Sequence, residues 1–125
     1  MSRASISHIA LTVSDLNRST EFYDRIFKFM GYMPVEVPES TQQAMKTQLK
    51  SWVGPGYSIS IRPSKGEFAH MPHDRNASGF NHMAFTAEDR SDVEQMYELL
   101  KEMRATVLDA PGEYPYSSGL CRLFH

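Results

Sequence analysis

His8 and His82 stand 74 residues apart in two copies of one pattern. Ser7-His8-Ile9-Ala10-Leu11-Thr12-Val13-Ser14-Asp15 matches Asn81-His82-Met83-Ala84-Phe85-Thr86-Ala87-Glu88-Asp89: His, Ala, Thr and Asp recur in place, and Tyr23 and Tyr97 share an offset. Neutral imidazole binds zinc, iron, manganese and nickel, and two histidines plus a carboxylate, with open coordination positions, form a common catalytic metal site. A chain built from two such halves can bring one histidine from each to a shared divalent ion. The same imidazoles could equally serve as hydrogen-bonding groups in a polar interior.

Position on a strand decides which way these side chains face. In residues 5–13, Ile9, Leu11 and Val13 take one side and His8, Ala10 and Thr12 the other. The same parity around His82 predicts a second strand from Phe80, with Met83, Phe85 and Ala87 toward a helix and His82, Ala84 and Thr86 opposite. Further on, Tyr57, Ile59 and Ile61 alternate with Ser58, Ser60 and Arg62, so Arg62 could hold an anionic or oxygen-rich ligand, or simply be a solvated strand-end cation. Tyr114 and Tyr116 could cap a pocket with ring and hydroxyl, or pack over the core. Cys121 has no activating partner that would make it a catalytic thiol, and His70 and His73 read as solvent-facing.

The elements that must carry these residues follow from caps and periodicity. Ser14-Asp15 offers an N-cap, apolar residues from Phe22 to Met30 recur near helical spacing, and Gly31 suits the stop, which predicts a helix over 16–30. Residues 32–37, broken by Pro34 and flanked by Pro38, predict an irregular edge strand. Residues 40–53 fit helix or strand, and Gly54-Pro55-Gly56 is a turn. In the second half Ser91 and Glu94 form a capping box, Val93, Met96, Tyr97, Leu100 and Met103 make an apolar stripe, and Thr106–Leu108 is a short strand before a turn at Pro111-Gly112. Module one is expected over 4–63, a linker over 64–78 and module two over 79–125, within one domain.

Composition limits the partners. The 125 residues suit one domain, and a net charge of −2 leaves no basic excess for nucleic acid. No apolar run is long enough for a membrane, and a single cysteine favours a reducing compartment. The expectation is a cytoplasmic protein with a small-molecule ligand, no nucleic-acid or membrane partner, and a homodimeric state.

Taken together, Ile6 to Leu16 with Phe22-Tyr23, Phe80 to Thr86, and the loop Tyr114 to Gly119 resemble the vicinal oxygen chelate superfamily, which includes glyoxalases, bleomycin-resistance proteins, fosfomycin-resistance thiol transferases and extradiol dioxygenases. The resemblance covers nearly the whole chain. It implies an α+β fold in which two βαβββ modules form an open, barrel-like mixed sheet around a metal, with His8 and His82 as ligands. Its activities imply a metal-dependent lyase, isomerase or dioxygenase acting on a small oxygen-rich molecule, or a metal-free binder of the bleomycin-resistance type. Ser60 falls near the position of a further carboxylate ligand in glyoxalases, and Glu113 is the carboxylate preceding the region where the family's last glutamate ligand is expected.

After Gly119 the resemblance stops, so the last strand is expected to be missing and the activity and metal binding impaired. Leu120 to His125 can be encoded by TTA TGC CGT CTT TTT CAC, and the same bases read one position later give Tyr-Ala-Val-Phe-Phe, the kind of strand the family continues with. A frame change is the expected origin.

Overall fold

In the computed structural model, which describes residues 2–114 and 117–124 with side chains as far as Gly112, two compact units divide at Asp74/Arg75. The first opens with β1, His8–Val13, whose burial alternates as the sequence parity requires: Ile9, Leu11 and Val13 are partly covered and His8, Ala10 and Thr12 exposed. Helix α1, Leu16–Phe29, follows at once because the Asp15 carboxylate accepts the Arg18 amide at 3.1 Å and so satisfies one of the free donors of the first turn. Its stop is equally local. Gly31, at φ 88°, lets its own amide reach the Lys28 carbonyl at 3.0 Å and the Tyr32 amide reach the Phe27 carbonyl at 2.8 Å, the paired bonds of a Schellman ending.

The edge strand β2, Met33–Val35, leads to the short helix α2, Glu39–Met45, and then to the hairpin of β3, Lys50–Val53, and β4, Ser58–Pro63. This resolves the ambiguous stretch 40–53 into helix and then strand. The Gln42 side chain holds the two sides of α2 together: its amide donates to the Val37 carbonyl at 3.0 Å and its oxygen accepts the Leu49 amide at 3.0 Å. The strands form a mixed sheet in the order β1-β4-β3-β2, with β1 parallel to β4 and the other pairs antiparallel. The first unit is thus a βαβββ arrangement carrying one extra short helix.

Helix α1 lies over β4 and β2. Phe27, Ile59 and Ile61 are fully buried, with Trp52, Ile26 and Leu16 beside them. Phe27 is the hub: its ring stacks with Tyr23 at 5.2 Å and with Tyr32 at 5.5 Å, and meets Trp52 edge-on at 5.3 Å. The Trp52 indole N–H, which would be orphaned in that core, donates to the Asp24 carboxylate at 3.1 Å.

The second unit holds helix α3, Arg90–Glu102, packed through Leu100 and its neighbours on a hairpin of β5, Thr106–Tyr114, and β6, Ser117–Phe124. Three expectations are corrected here. Residues 80–87 form no strand, and Phe80 and Phe85 are exposed. In the first unit the ladder of β1 is supplied by β4, the third strand after the helix, whereas among the described residues the second unit has two strands after its helix and neither pairs with 80–87. Alternation without a ladder partner leaves a strand-like sequence unpaired.

The second correction concerns the cap of α3. It is Asp89, accepting the Asp92 amide at 3.1 Å, with the Ser91 hydroxyl donating to the same carboxylate at 2.6 Å. Ser91 lies inside the first turn, because a carboxylate two residues earlier already occupies the capping position. Third, β5 runs through Pro111-Gly112 with no turn there. The register shifts between Asp109 and Gly112 and again before Tyr114, irregularities that allow a strand to pass a residue without an amide hydrogen.

Candidate functional site

The parallel register of β1 and β4 builds a two-column face. His8 pairs with Ser58, Ala10 with Ser60 and Thr12 with Arg62, and paired residues in a parallel ladder project to the same side. Because Ile59 and Ile61 occupy the buried side, Ser60 and Arg62 share the side of His8. The face continues onto β3 through Ser51 and Val53, opposite Ser60 and Ser58, and onto β2 through Val35 and Met33. Met33 is 68% exposed and Val35 and Val53 are also exposed, so the sheet is polar along β1 and β4 and apolar toward its β2 edge.

Each histidine is held by the residue before it. The Nδ1 atom of His8 lies 3.1 Å from the Ser7 hydroxyl. His82 Nδ1 lies 2.7 Å from Asn81 Oδ1, while the Asn81 amide donates to the Arg75 carbonyl at 3.0 Å. That second bond fixes the amide so that its oxygen faces His82, and an oxygen there requires the proton on Nδ1. In a neutral ring so held, Nε2 is the lone-pair atom, and histidine binds a metal in that form, oriented by a hydrogen bond at its other nitrogen. Ser7 and Asn81 were not singled out from the sequence; the signal was a hydrogen-bonding side chain immediately before the histidine in both copies.

The remaining candidates are placed as follows. Ser60 and Arg62 join His8 on the first unit's open face, and Arg62 borders a cavity of about 370 Å³ at the end of β4. His82 lies in the exposed segment ahead of α3 in the second unit. Glu113 and Tyr114 end β5, and Tyr116 lies outside the described residues. Among the described residues no group of three or more His, Cys, Asp or Glu side chains is gathered as a metal cage, and no helix is long and apolar enough to cross a membrane. His70 and His73 are exposed, as expected.

A βαβββ unit with a mixed sheet and a histidine opening its first strand defines a recognisable class. The chain belongs to the glyoxalase/bleomycin resistance protein/dioxygenase superfamily, whose family model matches residues 5–124. It is 31% identical over 112 residues to YqjT of Bacillus subtilis strain 168, a protein of uncharacterised function, covering 90% of this chain and 80% of that one. Its fold is similar to that of a Bacillus halodurans protein assigned to the glyoxalases, with a TM-score of 0.73 and 23% identity, covering 85% of this chain and 74% of the other. It is also similar to a variant of the fosfomycin resistance protein FosX from Listeria monocytogenes in complex with Mn(II) and 1S,2S-dihydroxypropylphosphonic acid, with a TM-score of 0.59 and 21% identity over 86% of this chain and 78% of that one.

Proposed function

We propose that the chain is a glyoxalase-like, metal-dependent enzyme of lyase, isomerase or dioxygenase type acting on a small oxygen-rich molecule. His8 and His82 are the metal ligands in this reading, and Ser60, Arg62, Glu113, Tyr114 and Tyr116 surround the substrate. The observation that carries it is the repeated histidine, in both copies held at Nδ1 by the side chain before it, which orients each ring with Nε2 away from that partner. FosX, crystallised with Mn(II) and a dihydroxy phosphonate, supports the pairing of a divalent ion with an oxygen-rich molecule on this fold. Zinc, iron, manganese or nickel, when bound, supplies Lewis acidity toward adjacent substrate oxygens. Ser7 and Asn81 orient the two imidazoles, and Ser60 and Arg62 add a hydroxyl and a guanidinium further along the face that carries His8. Two neutral ligands without an anionic third make the affinity modest. The working assembly in this reading is a homodimer.

The test is Mn(II) titration of the purified full chain, with free Mn(II) read by electron paramagnetic resonance. His8→Ala and His82→Ala should each weaken binding by about tenfold or more, because even outer-shell changes commonly cost that much. Unchanged affinity in both variants would overturn the assignment. A second reading, a metal-free binder of the bleomycin-resistance type, is favoured by the exposed apolar edge at Met33, Val35 and Val53. Ligand affinity that survives chelation would select it.

A further inference from the structure

The cavity at the end of β4 combines cationic, hydroxyl and apolar lining residues. Its volume of about 370 Å³ falls in the range of small-molecule sites. Two cations, Arg62 and Lys65, and three hydroxyls, from Thr12, Thr47 and Ser64, line it, and no carboxylate does. The chain as a whole carries a net charge of −2, so this concentration of positive charge is local.

Arg62 is the decisive residue. Its Nε is buried and has no hydrogen-bond partner. Leaving a guanidinium N–H dry and unpaired is costly, more so than for a neutral group, and such an atom is a standing request for an acceptor. The neighbours are set as donors too. The Ser64 hydroxyl oxygen accepts the His70 amide at 3.3 Å, which leaves its own proton available. Lys65 donates to the Lys46 carbonyl, holding its ammonium at the rim with two further protons to give. Met45 and Phe68 supply an apolar wall, and both are largely exposed, as suits surfaces covered when a ligand enters.

We propose that this cavity binds an oxyanion, a carboxylate or a phosphoryl-type head group, with the Arg62 guanidinium and the Ser64 hydroxyl as donors and Lys65 closing the charge at the rim. A planar guanidinium can match two oxygens of one anion. The inference deepens the functional reading above and rests on it in one respect only: that the anion is the head group of the substrate.

The experiment uses the full chain labelled with nitrogen-15 and follows the arginine Nε–H resonances during titration with sodium phosphate, and separately with sodium acetate, against sodium chloride at matched ionic strength. One Nε–H resonance, identified by its loss in Arg62→Lys, should move saturably with phosphate or acetate and not with chloride. The tighter of the two identifies a phosphoryl or a carboxylate head. Arg62→Gln should weaken binding by about tenfold or more and Lys65→Gln by a few-fold, as loss of a charge-assisted bond predicts, each with an unchanged backbone amide spectrum elsewhere. Absence of a saturable shift, or equal affinity in Arg62→Gln, would overturn the proposal. The histidine variants separate the two claims. Anion binding that persists in His8→Ala and His82→Ala while manganese binding is lost supports both. Manganese binding unchanged in those variants defeats the metal assignment and leaves the anion site standing.

Discussion

Gly54 is replaceable only if Tyr32 moves, and this gives a sharp test of how the first unit is packed. Gly54 sits at the β3–β4 turn, its amide donating to the Tyr57 carbonyl at 3.0 Å, and a Cβ built on it would run into the Tyr32 ring. The ring has little room to retreat. It is 7% exposed, stacked on Phe27 at 5.5 Å, and its hydroxyl lies 2.8 Å from that of Tyr57. Forcing it aside should cost about 1–3 kcal/mol of overpacking and about 1 kcal/mol for the hydroxyl pair, offset by about 0.4–1 kcal/mol from the stiffer unfolded chain.

Gly54→Ala is therefore expected to lose about 2–3 kcal/mol. Urea unfolding followed by the fluorescence of Trp52, the single tryptophan, should show the midpoint falling by about 1–2 M. The same substitution in a Tyr32→Ala background should cost nothing, a coupling of about 2 kcal/mol. An equal cost in both backgrounds, or a loss under about 0.5 kcal/mol in the wild-type background, would refute the claim that the ring is the obstacle.

Other outcomes follow from local geometry. Arg104 occupies the left-handed conformation at φ 57° just past α3, with its amide on the Lys101 carbonyl and the Ala105 amide on Leu100; Arg104→Gly should raise stability by about 1 kcal/mol in the same urea assay. The Asp24 carboxyl is held below its ordinary value first by the hydrogen bond from Lys28 and also by the Trp52 N–H, against partial burial that pushes it up. A folded-state pKa below the unfolded one means that this stability is present above about pH 4 and is lost as pH falls through the folded value. Asp24→Asn, measured by urea midpoints from pH 6 down to pH 2, should therefore show a flatter acid limb than the wild type.

The first half was legible in the sequence because local and long-range signals agree there. Alternation in 8–13, the Asp15 cap and Gly31 each specify the same boundaries that the packing uses. Around His82 the alternation is as clear, yet 80–87 stay outside any sheet: periodicity tells which side of a strand would be covered, whereas pairing depends on a partner strand elsewhere in the chain. The Ser91 box was misread because Asp89 offered a competing acceptor two residues earlier. Arg62 could be assigned to a face from parity, but its cavity depends on Thr47 and Lys65, brought to the strand end by segments with no periodicity to announce them.

The pairing of His8 with Ser58, Ala10 with Ser60 and Thr12 with Arg62 also gives the open face a direction. Neighbouring strands lie about 4.8 Å apart, and four residues along a strand span about 13 Å. Down that length the rows change from an imidazole beside a hydroxyl, through a methyl beside a hydroxyl, to a hydroxyl beside a cation. A molecule lying along the strands is read lengthwise, with the imidazole at one end and the cation that answers its negative charge at the other. A compound much shorter than that span engages one terminus at a time, and reversing a longer one sets its anion against the imidazole end and leaves the guanidinium unanswered.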